Sequence, residues 1–192
     1  MNFPNISERL YLSFINTRIV KHSKTHELIT SESDLENWLA FIYDNFTNYQ
    51  PAMAVCRQLL SELTEYQLPL HELLTFRESL YHQLDAITHG GKMADFIREI
   101  EKNINELKPQ IACIDRNVLL VPQSETFCDS LQMFILSDIL DSFSKGDIDK
   151  LSHCHNHECV LLFINKTGRR KWCSMEICGN RNKVKNFHNK YK

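Results

Sequence analysis

Cys154-His155-Asn156-His157-Glu158-Cys159 and Cys173-Ser174-Met175-Glu176-Ile177-Cys178 decide how the C-terminal quarter of this chain folds. Each cysteine pair encloses four residues, and thirteen residues separate the pairs. Two short loops joined by a longer connection suit a tetrahedral Zn²⁺: each pair wraps the metal with a turn of backbone, and the connector closes the tetrahedron. The expected ligands are therefore Cys154, Cys159, Cys173 and Cys178. Four thiolates leave no open position for water or substrate, so such a zinc contributes folding energy rather than catalysis. His153, His155 and His157 lie close by and could replace a thiolate, although the symmetry of the cysteine pairs favours sulfur. A thiol-redox site would favour two intervening residues, and the commoner iron–sulfur proteins use other spacings.

The connector reads as a hairpin. Val160 to Ile164 is an apolar strand, Asn165-Lys166-Thr167-Gly168 supplies the turn, and Arg169 to Trp172 returns as the second strand. Beyond Cys178, a helix from Asn180 would place Val184, Phe187 and Tyr191 on one face and Arg181, Lys185, His188 and Lys192 on the other.

The Cys-x-Asn-x-x-Cys pair, the Phe on the following strand, Arg170-Lys171-Trp172-Cys173-Ser174-Met175 and Cys178-Gly179-Asn180-Arg181 together resemble the CGNR zinc finger. The resemblance covers roughly residues 145–192. It implies a zinc-dependent DNA-binding module at the C-terminus of a bacterial stress-induced transcription regulator. One departure is the short turn at 165–168, which lacks the acidic residue this family tends to carry after its first strand. Upstream, Phe14-Ile15-Asn16-Thr17 is similar to a segment of the ABATE-like N-terminal domain that usually precedes such a finger.

A chain of 192 residues, 43% of them hydrophobic, accommodates a body with its own core plus a small appendage. Modules of about 40–50 residues need a metal or disulfides. No apolar run reaches membrane-spanning length, and the N-terminus lacks the pattern of a secretory signal. A reducing cytoplasm is thus expected, where close cysteine pairs are metal ligands and Cys56, Cys113 and Cys128 are small buried hydrophobes. The net charge of −2 conceals a division. Residues 1–144 hold 11 Lys and Arg against 20 Asp and Glu (−9), and residues 145–192 hold 11 against 4 (+7). The basic segment is the one suited to a polyanion.

In the body, Leu10 to Thr17 alternates like a strand but could equally open a helix. Ser33-Asp34-Leu35-Glu36 is a capping-box signature for a helix over about 34–47. Further helices are expected from Pro51 to about Tyr66, over 70–88, 93–108 and 125–143, with a hairpin over 111–121 between the last two. The stretch 142–149, containing Gly146, is the expected hinge. The fold class is accordingly α+β and mainly α: a helical domain over 1–144 with one or two hairpins, then a treble-clef-like or ribbon-like finger over 145–192.

For DNA, Arg169, Arg170, Lys171, Lys183 and Lys185 are candidate phosphate contacts, and Asn180 and Arg181 have side chains able to reach base edges. Asn180 and Arg181 could instead hydrogen-bond the zinc loop. Asn16, Thr17 and Arg77 are candidate ligands of a small-molecule effector. Against this stand a turn that ends the first element, for Asn16 and Thr17, and ordinary pairing on the helix surface, for Arg77 with Glu78, Tyr81 and His82. No nucleotide loop, nucleophile elbow or metalloprotease motif occurs, so enzymatic activity is not expected. The expected function is that of a cytoplasmic transcription regulator, with a homodimer possible. The competing reading is a protein–protein adaptor whose finger docks an acidic partner.

Overall fold

A computed structural model describes residues 3–21, 24–63, 70–114 and 116–180. The fold is α+β and mainly helical, with small antiparallel hairpins and a C-terminal cysteine cluster. Two buried helices form its axis. α1 (Leu10–Ile15) is a helix rather than a strand, and all six of its residues are buried. α6 (Phe127–Ser144) packs against α1 and is buried on nearly every side, from Phe127 and Leu131 to Ile135 and Ile139. A helix apolar all round belongs in the centre of a domain.

Around this axis lie α2 (Glu32–Asn45), α3 (Gln50–Ser61), α4 (Leu70–Thr88) and α5 (Met93–Glu106). In α5 only Phe96, Ile97, Ile100 and Ile104 are buried, a stripe at helical spacing with charged residues opposite. α2 starts earlier than expected: Ser31 is its N-cap and accepts from the Asp34 amide at 3.2 Å, while Asp34 accepts from the Thr30 amide at 3.0 Å. The cap is thus Ser31 over the Asp34 amide, with Asp34 reaching back to Thr30, two residues ahead of the expected box. α3 ends at Ser61, with Glu62 and Leu63 already out of the helix, short of the expected end near Tyr66, which lies outside the described residues.

Among the described residues, three antiparallel strand pairs complete the fold. β1 (Arg18–Lys21) pairs with β2 (Lys24–Glu27), and β3 (Gln110–Ile114) with β4 (Asn117–Val121). β5 (Leu151–His153) pairs antiparallel with β6 (Leu162–Ile164), Ser152 opposite Phe163. This third pairing corrects the expected hairpin. β6 finds its partner upstream of the first cysteine pair, and residues 169–172 form no strand.

Strand alternation gives β6 two different faces. Leu162 and Ile164 join the helical core together with Ile148 and Leu151. Phe163 joins a second cluster with Leu161, Cys154, Cys173, Cys178 and Ile6. Buried on both sides, the strand forms the wall between the helical body and the cysteine loops.

The stretch 142–149 closes the C-terminus of α6: the Asp147 amide donates to Ser142 at 2.9 Å and the Gly146 amide to Phe143 at 3.0 Å. Arg9 then ties this corner to the start of the chain, meeting Asp141 and Asp147 at 2.5 Å and Asp138 at 3.1 Å. Of the three isolated cysteines, Cys56 and Cys128 are buried as expected. Cys113 is exposed, because it lies on the outward face of β3.

Candidate metal centre

The first cysteine pair follows β5 directly. Cys154 is aligned by its amide, which donates to Leu161 at 3.3 Å, and His155 by an amide bond to Lys171 at 2.9 Å. A tight turn then returns the chain, the Cys159 amide donating to Asn156 at 2.8 Å. In the second pair, Cys173 precedes a π-helical turn, Met175–Gly179, and Cys178 lies within it. Ser174 caps this turn: its hydroxyl accepts from the Ile177 amide at 2.9 Å, and its carbonyl accepts from the Cys178 and Gly179 amides at 3.2 and 3.0 Å. A Cβ on Gly179 would stand 2.5 Å from Met175 Sδ, so glycine lets the Met175 side chain lie across the turn.

These turns bring Cys154, Cys159, Cys173 and Cys178 together, with all four Sγ atoms within 4.8 Å of one another. Cys159 and Cys173 are 3.8 Å apart. A tetrahedral zinc with bonds of about 2.3 Å would set its sulfurs about 3.8 Å apart, so the donor set and spacing fit the ion. Cys154, Cys173 and Cys178 are buried and Cys159 is half-buried. None of the nearby histidines belongs to this group. His155 sets its ring edge-on to Trp172, and His157 is exposed beside Glu158.

The electrostatics of Cys154, Cys159 and Cys173 suit a cation among them. Hydrogen bonds from Cys159 and Cys173 hold Cys154 well below the ordinary thiol range. In return Cys173 and Cys159 are pushed up, first by donating to Cys154. A divalent ion takes the place of the protons that Cys159 and Cys173 share with Cys154 and favours the ionised sulfurs. Two amide groups add to the charge balance. The Cys173 amide approaches Cys154 Sγ at 3.4 Å, and Asn156 Nδ2 approaches Cys178 Sγ at 3.5 Å. Asn156, the middle residue of the Cys-x-Asn-x-x-Cys signature, therefore orients a ligand from the opposite pair, a role its spacing did not reveal.

The connector is held by side chains instead of a strand ladder. Asn165 accepts from the Arg170 amide at 3.1 Å and donates to the Arg170 carbonyl at 3.0 Å. The short turn closes with Gly168 at φ +68 and its amide on Asn165 at 3.0 Å. Extended backbone then sorts the basic run. Arg169 and Lys171 are exposed, and Arg170 turns inward. The Arg170 guanidinium lies 4.4 Å over the Phe163 ring, donates to the Trp172 carbonyl at 2.9 Å and also to the Cys173 carbonyl. Burial lowers the Arg170 pKa accordingly. Expected as a phosphate contact, Arg170 turns its guanidinium toward the carbonyls beneath the metal loops. Asn180 is exposed; Arg181, Lys183, Lys185 and the expected helix face of Val184, Phe187 and Tyr191 lie outside the described residues.

The candidate effector residues divide. Asn16 is buried and makes two bonds to one residue of the wall strand: Nδ2 donates to the Leu162 carbonyl at 2.8 Å, and Oδ1 accepts from the Leu162 amide at 3.1 Å. Thr17 ends α1 by donating to the Phe14 carbonyl at 2.7 Å. Arg77 is buried, donating to Thr17 Oγ1 at 3.0 Å and pairing with Glu27 at 2.7 Å and Glu78 at 2.8 Å. Thr17 and Arg77 thus meet each other, and Asn16 faces the finger. A separate cleft of about 1000 Å³ lies between the body and the turn at 165–168, with Arg9, Tyr49, Asp138, Lys145, Lys166 and Arg170 among its walls.

No helix among the described residues is long and apolar enough to cross a membrane. No curated protein matches the chain. Among known families the match falls on the segment that carries the four cysteines: residues 150–190 match the model of the CGNR zinc finger.

Proposed function

We propose that this chain is a cytoplasmic transcription regulator in which residues 145–192 bind double-stranded DNA and residues 1–144, an ABATE-like domain, sense a signal or dimerise. The observation that carries the reading is the sorting of Arg169-Arg170-Lys171: two cations stand out to solvent on one side of a zinc-braced loop, and the third braces the loop from beneath. A rigid loop with outward cations, in a segment of charge +7, suits contact with phosphates. Zinc serves as scaffold, and no catalytic role is assigned to it. The cleft of about 1000 Å³ beside the finger has both apolar and charged walls and is the natural place for a small-molecule effector.

Duplex oligonucleotide binding by the zinc-loaded full chain at several salt concentrations tests this reading. Affinity should fall steeply with salt, and Arg169→Ala or Lys171→Ala should each lower the slope by about one unit. Absence of salt-dependent binding to any duplex, with capture of an acidic protein instead, would move the finger to the adaptor class. Arg181→Lys separates base reading from support of the zinc loop. A loss of preference at one base pair with zinc retention intact assigns the residue to a base edge.

A further inference from the structure

A second group of metal-type side chains lies apart from the four cysteines. Asp85 lies in the last turn of α4, His89 follows four residues later in the turn that ends the helix, and His153 comes from β5. Each offers one ligand atom, and the three atoms lie within 4.8 Å of one another. His153 Nε2 contacts Asp85 Oδ1 directly, and His89 Nδ1 is 3.7 Å from the same oxygen. The two imidazole rings sit 5.5 Å apart. His89 Nδ1 also donates to the Asp85 carbonyl at 2.9 Å, a bond that an ion taken at Nδ1 would replace.

We propose that Asp85, His89 and His153 form a second, exchangeable site for a divalent transition-metal ion of the zinc class. Two imidazoles and one carboxylate are a borderline donor set that selects such ions over calcium or magnesium, which require mainly oxygen. Asp85 and His89, four residues apart at the C-terminal end of α4, supply two ligands from one side, and the third comes from a different element, so the ion would bridge them. Three protein ligands leave at least one position for water. Exposure makes the site reachable: the side chains of Asp85 and His153 are 32% and 30% exposed, and that of His89 is 68%. This contrasts with the buried four-thiolate centre. The consequence lies in the connection, because α4 belongs to the helical body and His153 immediately precedes Cys154. An ion here would fasten the body to the strand that leads into the zinc loops.

Equilibrium dialysis of the untagged full chain against Zn²⁺, with metal counted by elemental analysis, tests the site. The expected result is two equivalents, the second falling away at least tenfold in affinity in both His89→Ala and Asp85→Asn while the first is retained. His89 is exposed, so its loss leaves the fold intact. Cobalt offered to protein already holding one zinc should bind without the intense thiolate-to-cobalt absorption. A single equivalent in the unmodified chain, a second equivalent that survives both substitutions, or thiolate absorption from the added cobalt would each overturn the proposal.

Discussion

Asn16 and Arg170 carry much of the join between the body and the metal loops, and neither does so through a metal bond. Asn16 is 1% exposed and satisfies both backbone groups of Leu162, which no ladder partner serves from that side. Asn16→Ala should therefore leave a buried amide and a buried carbonyl without partners, lowering stability by about 1–3 kcal/mol. Denaturant unfolding of zinc-loaded protein measures this, and an unchanged midpoint would mean that water replaces the side chain. Arg170→Lys keeps the charge but removes the planar fork that spans the Trp172 and Cys173 carbonyls above Phe163. Zinc should then pass to a competing chelator faster than from the unmodified chain. Arg169→Lys, on an exposed side chain, should leave zinc retention unchanged.

Among the elements, the corner that joins α6 to the finger depends on charge. The Arg9 hydrogen bond holds the Asp147 carboxyl below its usual range; at Asp141 burial opposes ionisation, but Lys145 and Arg9 outweigh it. Asp138 behaves oppositely, its pKa raised by burial despite bonds from Tyr49, the Tyr11 amide and Arg9. For Asp141 and Asp147 the folded pKa is depressed, so their contribution is present above the ordinary carboxylate pKa of about 3.9. It is lost as pH falls through the lowered folded values. Arg9→Met should accordingly lower the thermal midpoint at pH 7, and the gap between the two proteins should narrow in acid. An equal gap at pH 7 and pH 3 would show that Arg9 acts by packing alone. The long helices were legible in the sequence because their apolar residues recur at helical spacing and glycines or prolines separate them. α1 was ambiguous because all six of its residues are buried, which erases the period. β1 and β2 leave little trace in the sequence because, of the described residues of their hairpin, only Ile19 packs on the cores, while ion pairs, Arg18 with Glu78 and Arg77 with Glu27, hold it to α4. The partner of β6 was misassigned for a similar reason. Asn165 holds residue 170 by side-chain bonds that mimic a returning strand in the sequence, and the true partner lies before the cysteines.

Across the molecule, the acidic helical body and the basic C-terminal segment meet along β5 and β6, whose two faces belong to two cores. The four metal ligands were readable from spacing alone, since paired cysteines encode both the donor and the turn that presents it. The docking of that centre was not, because Asn16 and Leu162 are 146 residues apart and no local pattern links them. Cys173→Ser should abolish tight zinc binding and loosen the cluster of Leu161, Phe163 and Trp172, because the remaining three thiolates cannot close the tetrahedron. Zinc retention should also fall in acid, as protons compete for sulfur. Both expectations rest on one all-sulfur centre, which X-ray absorption at the zinc edge reads directly on the full chain loaded with a single equivalent. Four sulfur neighbours at about 2.3 Å are expected; a nitrogen or oxygen neighbour at about 2.0–2.1 Å in that first equivalent would contradict the four-cysteine assignment.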